Sequence, residues 1–577
     1  MTTSFPTQEV LAHPRPSLPS GTGRIGAALR GKGRIALLLP ALAFLGLFFV
    51  YPLLGLVLRS LSPKGQLSYT RPELTLSNYG KAIGNLAYRL ILKETFVFAF
   101  VATVATMIVS YPVALFLSRC SMRATKFALA ALVAPYFTSI LIRLYAFTQI
   151  LRPLGLLYTT TGAIVGMVNY LVPYMVVILY ASMSAIDADL SVAARSLGAR
   201  PSQAFRRVFF PLTRNTLITG GLLVFVMSLG FYLTPAVLGS GSKITVAFYV
   251  QQQVDNYAWA MASTMGVIML ALTLVVFAVV STSDVERLIA KSTGKGVSRR
   301  ATFRWRPANV ALGLWTLAVL LFLLLPLLVV VLVSFTNVTY LRFPPPGWSL
   351  RWYREVFRDP VWVDAALLSL RIALGTTVIT TLIGTMAAFG LERGRRRGRS
   401  AFLRALFILP IIVPSILIGA SLFDLESRLR ISGTTLGYVI GHTIIALPVV
   451  IIIVSIALRN ADASLELAAR SLGASPLAAF RRITLPMIAP AVGAAAVFAF
   501  LASWDEVVIA MFVSGFDKTL PVTIFLTLNQ QLRPTIAAVA TLLMAALVLL
   551  WIFISLLRRV LTMRPTTGWR IDAQLDD

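Results

Sequence analysis

One 22-residue stretch occurs twice in this chain. The first copy runs LSVAARSLGARPSQAFRRVFFP from Leu190 to Pro211, and the second runs LELAARSLGASPLAAFRRITLP from Leu465 to Pro486. Aligned without gaps they share 14 of 22 positions, at an offset of 275 residues. Each copy is polar and basic, yet each lies between long apolar runs. The chain must therefore build one plan twice. A hydrophilic loop kept at the same place in two hydrophobic halves reads as a docking feature.

Elementary rules shape each copy. Asp187 and Asp462 can cap a short helix by accepting its free N–H groups. Apolar residues follow at i, i+3, i+4 and i+7: Leu190, Ala193, Ala194 and Leu197, then Leu465, Ala468, Ala469 and Leu472. Gly198 and Gly473 suit the left-handed turn that ends a helix. Pro201 and Pro476 suit the first position of a second helix, with Ser475 a good cap and Arg200 a poor one. Phe205 and Phe480 follow, each trailed by two arginines, and Pro211 and Pro486 stand where the chain re-enters an apolar run. The expected product is a helix–turn–helix elbow, basic on its outside.

The surrounding sequence is that of an integral membrane protein. Of 577 residues, 57% are hydrophobic and 13% charged, and the mean hydropathy is +0.82. Soluble chains lie near roughly 45–50% apolar and about 25% charged. The net charge of +30 sits mostly in loops between apolar runs, which is the pattern that orients membrane proteins, and nucleic acid is not needed to explain it. Cys120 is the single cysteine, so an intramolecular disulfide or a multi-cysteine metal cage is excluded. With only His13 and His442, no metal site is expected, and His442 reads as a packed, hydrogen-bonded residue inside an apolar run.

Periodicity and hydropathy predict an all-α polytopic fold of about 12 spans. Residues 1–33 read as a disordered cytoplasmic tail. A first unit, 34–281, holds spans near 35–58, 91–118, 126–151, 162–184, 215–237 and 258–281. A basic cytoplasmic linker, 282–308, leads to a second unit, 309–557, with spans near 309–334, 364–391, 401–421, 433–457, 488–512 and 534–557. Residues 558–577 form a second cytoplasmic tail. The positive-inside rule puts both termini and both elbows in the cytoplasm. The repeat also extends outward: Asn78-Tyr79 answers Trp352-Tyr353, Pro135 answers Pro410, and Pro173 answers Pro448. Two tandem six-helix units imply a pseudo-two-fold axis along the membrane normal with a shared path between them. Gly-Lys occurs without a following Ser or Thr, so no G-x-x-x-x-G-K-[ST] phosphate loop exists.

The elbow resembles the EAA loop of permease subunits of bacterial ABC importers. It carries the A-A-R-S-L-G-A core, the glycine and the thirteen-residue step from glycine to proline. The glutamate that names the motif is replaced by Val192 and Leu467, with Glu466 one place earlier. The resemblance implies that Leu190, Ala193, Ala194, Gly198, Pro201, Phe205 and Pro211 form a coupling helix seated in a cleft of an ATPase. It implies the same for Leu465, Glu466, Ala468, Ala469, Gly473, Pro476, Phe480 and Pro486. The chain is then a transport subunit and not an enzyme, in the bacterial inner membrane among lipids. Its partners would be ABC ATPase subunits, as a homodimer, and an extracytoplasmic solute-binding protein, periplasmic or lipid-anchored. No cofactor is expected on this chain, since ATP and Mg belong to the ATPase, and nucleic acid is not a partner.

The first half resembles one permease of the spermidine/putrescine importer group, through APYFTSILIRLY at 134–145 and YLVPYMVVILY at 170–180. The second half resembles its partner, through WYREVF at 352–357, LPIIVPSILIG at 409–419 and SWDEVVIAMFVSG at 503–515, although Ser415 stands where that partner usually has a glutamate. Iron(III), phosphonate, thiosulfate and opine permeases share this architecture. A 12-span secondary transporter and an intramembrane enzyme are the readings from other classes. The first needs no paired elbows, and no G-x-S-x-G or H-E-x-x-H motif supports the second.

Acids inside spans are costly, at about 2.5–3.5 kcal/mol on insertion scales, and are functional candidates for that reason. Asp505 and Glu506 fall in the eleventh expected span, and Asp424 and Glu426 at the end of the ninth. The matching first-half positions, Gly230 and Phe231, carry no charge. Asp424, Asp505 and Glu506, with Tyr136 and Trp504 as cation–π partners, are the expected translocation path for a cation. Alternatively Asp505 pairs with Arg143 or Arg371 to fix helix packing, or Arg143 itself favours an anion.

Overall fold

The computed structural model describes residues 36–63, 74–239, 243–281, 307–340, 342–392, 397–530, 533–546 and 549. The expected tails 1–33 and 558–577, nearly all of the linker 282–308, and the end of the last span lie outside the described residues.

Among the described residues the regular structure is helical, apart from an isolated bridge between Thr336 and Trp348. Among the described residues nine helices are long and apolar enough to cross a membrane: Ala36–Ser60, Leu86–Arg119, Thr160–Ser184, Pro201–Leu229, Trp259–Ala278, Asn309–Ser334, Pro360–Glu392, Thr435–Asn460 and Pro476–Trp504. Two further helix pairs are long and apolar enough only when taken together, and each is sharply bent. Met122–Tyr136 meets Ile140–Leu151 at 92°, and Phe402–Ile412 meets Ser415–Leu429 at 96°. A shorter apolar helix, Thr535–Ala546, begins where the twelfth span was expected.

Two expectations need correction. The spans at 126–151 and 401–421 are not straight. In the first, the chain tightens into a 3-10 turn at Ala134–Phe137 around Pro135, and Ser139 opens a new helix by accepting the Leu141 N–H at 3.3 Å. In the second, Pro414 has no N–H to continue the helix, and a new helix starts at Ser415. The spans at 215–237 and 488–512 were also misplaced. Each long helix starts at the elbow proline, Pro201 or Pro476, and stops at Leu229 or Trp504. Short helices, Leu233–Leu238 and Val508–Val513, follow each break.

The repeat survives folding in detail. Ser60 bonds the Tyr79 hydroxyl at 2.6 Å, and 274 residues later Ser334 bonds Tyr353 at 2.6 Å. Val246 N–H donates to Thr95 at 2.8 Å, and Leu520 N–H donates to Ser369 at 2.8 Å. Asn78 and Trp352, unlike in chemistry, both donate to a carbonyl at the same place, Ser62 and Thr336, at 2.8 Å each. Leu86–Arg119 packs along Thr160–Ser184 as Pro360–Glu392 packs along Thr435–Asn460.

The first span of each half leans on the other half. Ala36–Ser60 packs against Ser415–Leu429, and Asn309–Ser334 packs against Ile140–Leu151 and Leu86–Arg119. Small residues allow the approach: a side chain on Gly390 would lie 2.9 Å from Leu38, and one on Gly313 would lie 3.2 Å from Phe116. Polar groups fix the register, with Asn169 donating to the Phe322 carbonyl at 3.0 Å and Trp315 to the Val109 carbonyl at 3.1 Å. One buried core therefore joins residues of both halves, among them Leu141, Ile142, Ile416, Leu417 and Ile509.

Candidate functional site

The two elbows form as their capping chemistry requires. Helices Ala188–Ser196 and Ala463–Ser471 start with Asp187 accepting the Asp189 N–H at 3.0 Å and Asp462 accepting the Ser464 N–H at 2.9 Å. The hydroxyl and N–H of Ser464 hold the exposed Asp462 carboxyl below the usual carboxylate range. Each helix ends in a left-handed glycine, Gly198 at φ +86 and Gly473 at φ +90. Behind the turn the Ala199 N–H reaches back to the Ala194 carbonyl at 3.1 Å, and Ala474 reaches Ala469 at 3.0 Å. Ser475 caps the next turn by accepting the Ala478 N–H at 3.2 Å. Arg200 does not cap; Gln203 instead accepts the Arg200 N–H at 2.9 Å.

The second arm of the elbow is not a separate helix, contrary to expectation. A π-helical turn, Phe205–Phe209 or Phe480–Thr484, carries Pro201–Ala204 and Pro476–Ala479 straight into the membrane helix. Phe205 and Phe480 point inward, against Tyr111 at 6.4 Å and Phe389 at 4.6 Å between ring centres. Thr484 donates to Glu466 at 2.9 Å, so this glutamate braces the elbow helix against the π turn. Pro211 and Pro486 are exposed. The apolar face is largely uncovered: Leu190, Ala193, Leu465 and Ala468 are exposed, Ala194 and Ala469 half-buried, and Leu197 and Leu472 are each 89% exposed.

A second constellation gathers at the bent helix pairs. Asp505 ends the Leu485–Trp504 helix and accepts the Ile140 N–H at 3.2 Å, with Ser139 donating from the same turn. Glu506 accepts the Ile509 N–H at 2.7 Å and starts the Val508–Val513 helix. Both acids thus sit at helix N-termini, where the backbone dipoles favour negative charge. They stand in a break after the span rather than within it. At the equivalent break, a side chain on Gly230 would meet Pro414 at 3.2 Å. Gly230 leaves no acid there for the N–H of Ser415, the residue equivalent to Ile140.

Tyr136, Tyr170 and Tyr174 cluster beside Ile140–Leu151, with ring centres 5.0 to 5.8 Å apart. The Tyr136 hydroxyl donates to the Tyr170 carbonyl, and Phe231 closes edge-on over Tyr170 at 5.3 Å. Arg143 lays its guanidinium over Tyr136 at 5.3 Å and Tyr170 at 5.1 Å. Trp504 stacks on Phe500 instead. Asp424 lies elsewhere. It accepts from Arg59 and, at 2.8 Å, from Arg428, and Arg59 in turn lies over Trp259. Two guanidinium groups already neutralise that acid. Arg371 is exposed on Pro360–Glu392, and His442 is buried with Nδ1 on Ser503 at 2.8 Å. Among the described residues no group of three His, Cys, Asp or Glu could hold a metal. The tyrosine pair 170 and 174 was visible as an i, i+4 spacing in YLVPY; Ser139 and Arg59 carried no signal in sequence.

A repeated helical unit in the membrane, paired elbows and a broken-helix junction define a transport subunit. The chain belongs to the family of binding-protein-dependent transport system inner membrane components, whose model matches residues 35–288 and 380–565. It is similar to the putrescine transport system permease protein PotI of Escherichia coli (strain K12), 38% identical over 244 residues, 40% of this chain and 86% of that one. It is also similar to the spermidine/putrescine transport system permease protein PotB of the same strain, 29% identical over 37% of this chain and 83% of that one. The corresponding PotC of Haemophilus influenzae is 31% identical over 41% of this chain and 92% of that one. A solved bacterial ABC transporter involved in the import of the acidic polysaccharide alginate matches at 18% identity and a TM-score of 0.34, covering 45% of this chain and 99% of that chain. The chain is thus a multi-pass inner-membrane permease of a binding-protein-dependent ABC importer, a non-catalytic component that works with an ATPase and a binding protein.

Proposed function

We propose that this one chain supplies both permease halves of its importer, related by a pseudo-two-fold axis along the membrane normal, and carries putrescine, spermidine or a related linear amine. The observation that carries the amine reading is the junction of Asp505 with the tyrosine cluster. Asp505 binds the turn at Ile140, four residues along from Tyr136 of the cluster, where a bent helix pair of one half abuts the other half. That is a cation's environment, since aromatic faces attract ammonium by about 0.5–2 kcal/mol. The relatives' names point the same way.

In this reading the units are 34–281 and 309–557, and Tyr136, Arg143, Asp505 and Glu506 line the path. Asp424 serves as a brace. The elbows dock on two ATPase subunits, and their uncovered leucines suit a protein cleft better than solvent. ATP and Mg are bound by those subunits. Both termini and both elbows face the cytoplasm.

The test is uptake of labelled putrescine by proteoliposomes holding the chain with its ATPase and binding protein. ATP-dependent accumulation, competed by spermidine and insensitive to collapse of a proton gradient, is expected. Competition by phosphonate or an iron(III) chelate, but not by amines, would move the substrate to another branch of the family. Uptake driven by the proton gradient without ATP would favour a secondary transporter.

A further inference from the structure

Arg143 is a buried charged group without a hydrogen-bonded partner among the described residues. It is 3% exposed, and none of its three guanidinium nitrogens has a hydrogen-bond acceptor among the described residues. Arginine is almost never buried without a partner. Here the partners are the faces of Tyr136 and Tyr170, which hold a cation by their quadrupoles and impose no fixed hydrogen-bond geometry. A contact of that kind is exchangeable. Another cation of similar size can take the place without leaving a donor or acceptor broken.

The placement adds a second half to the argument. Arg143 lies one turn into the Ile140–Leu151 half-helix, and Asp505 caps that half-helix from the other repeat. The two charges lie within electrostatic reach, yet no acceptor touches the guanidinium. A carboxylate and a guanidinium form strong bidentate pairs when they meet. Off the rings, Arg143 would have Asp505, the cap of its own half-helix, as the acid to pair with at the seam between the halves.

We infer that the Tyr136–Tyr170–Tyr174 cluster is a cation subsite that Arg143 fills in this conformation and that a substrate ammonium fills in another, releasing Arg143 toward Asp505. The inference rests on the amine reading above and adds a specificity device to it: the chain carries its own stand-in for the substrate. A group that binds one state of a two-state protein biases it toward that state. A cation on the rings holds the seam in one arrangement, and the substrate ammonium moves it to the other by releasing Arg143 to pair with Asp505 across the seam. Primary ammonium and guanidinium groups would compete for the subsite. Neutral amides and anions would not.

The test uses the full chain in liposomes with its ATPase and binding protein, read first as ATP hydrolysis without substrate. Arg143→Ala should raise that rate by about threefold or more, because the stand-in is gone and the seam is released. Ethylguanidinium, the missing head group as a free ion, should return the rate to the wild-type level, and neutral ethylurea should not. Arg143→Lys should stay within about twofold of wild type, since an ammonium also suits the rings. Adding Tyr170→Leu to Arg143→Ala should abolish the ethylguanidinium effect. Hydrolysis by Arg143→Ala at the wild-type rate, or equal responses to ethylguanidinium and ethylurea, would overturn the inference. Should Arg143→Ala not insert, Tyr170→Leu alone gives the second reading: a raised rate supports the subsite and an unchanged rate contradicts it. Wild-type putrescine uptake separates this from the parent reading. Absent uptake with ethylguanidinium rescue intact defeats the amine assignment alone, while normal uptake with an inert Arg143→Ala defeats the stand-in alone.

Discussion

The carboxylate of Asp505, in the second repeat, accepts the backbone N–H of Ile140, in the first, at 3.2 Å. An acid from one half therefore caps a half-helix of the other, and the contact spans 365 residues of sequence. At the equivalent positions, 275 residues away, Gly230 carries no carboxylate for the Ser415 N–H and packs against Pro414. The halves also meet through the ion pair of Arg59 with Asp424, but the Asp505 junction has no charged counterpart in the repeat, and in the proposed reading that asymmetry gives the path its charge preference.

Asp505 has two separable jobs, cap and charge. Asp505→Asn keeps a side-chain oxygen for the Ile140 N–H, so the thermal midpoint of the purified chain should barely move, while putrescine uptake falls roughly tenfold or more as the charge-assisted contact is lost. Asp505→Ala should lose the uptake and also about 1 kcal/mol of stability, the usual cost of a missing cap. Wild-type uptake by Asp505→Asn would confine the residue to the capping role.

Gly198 and Gly473 sit at φ +86 and +90 with open space around them. A side chain there costs about 1 kcal/mol or more in backbone strain alone. Gly198→Asp or Gly473→Asp should leave the chain inserted and abolish substrate-stimulated ATP hydrolysis, because the carboxylate enters the docking face. Hydrolysis assays on both variants check this; coupled transport at normal rates would remove the elbows from the mechanism.

The elbows should be reachable from the cytoplasm alone. Ser202 and Leu477 are exposed, so Ser202→Cys or Leu477→Cys, on a Cys120→Ala background, should react with a membrane-impermeant maleimide only in inside-out vesicles. Labelling in intact cells would invert the topology.

Asp424 joins Arg59 of the first span to Arg428 of its own helix. Removing one partner of this half-buried pair strands the other charge, at a cost of about 1–3 kcal/mol, below that of a fully buried pair. Asp424→Ala should therefore unfold markedly earlier on heating, whereas the double variant Arg59→Met, Asp424→Leu should recover most of the loss. A double-mutant cycle on the thermal midpoints measures the coupling. Additive effects would mean the two side chains do not support each other.

What could be read in the sequence was local or periodic. Asp187, Asp462, Gly198, Gly473 and Ser475 act within one turn of themselves, so their capping chemistry was legible residue by residue. The 275-residue offset carried the repeat. The breaks were hidden because apolarity runs through them: 488–512 has a spanning hydropathy although the helix stops at Trp504. Only contacts with Ser139 and Ile140 turn Asp505 from a charge in a span into a cap. The clamp of Arg59 on Asp424 also spans 365 residues, and no local pattern announces it. Tyr136 was picked out as an aromatic next to a path, but its partner cation proved to be Arg143 of this same chain.

The central claim is that one chain furnishes both halves of the pathway and both docking elbows. Native mass spectrometry of the importer, extracted with its ATPase, tests it most directly. One copy of this chain with two ATPase subunits is the predicted composition. Two copies of this chain with two ATPase subunits would contradict it, since four elbows would then compete for two clefts.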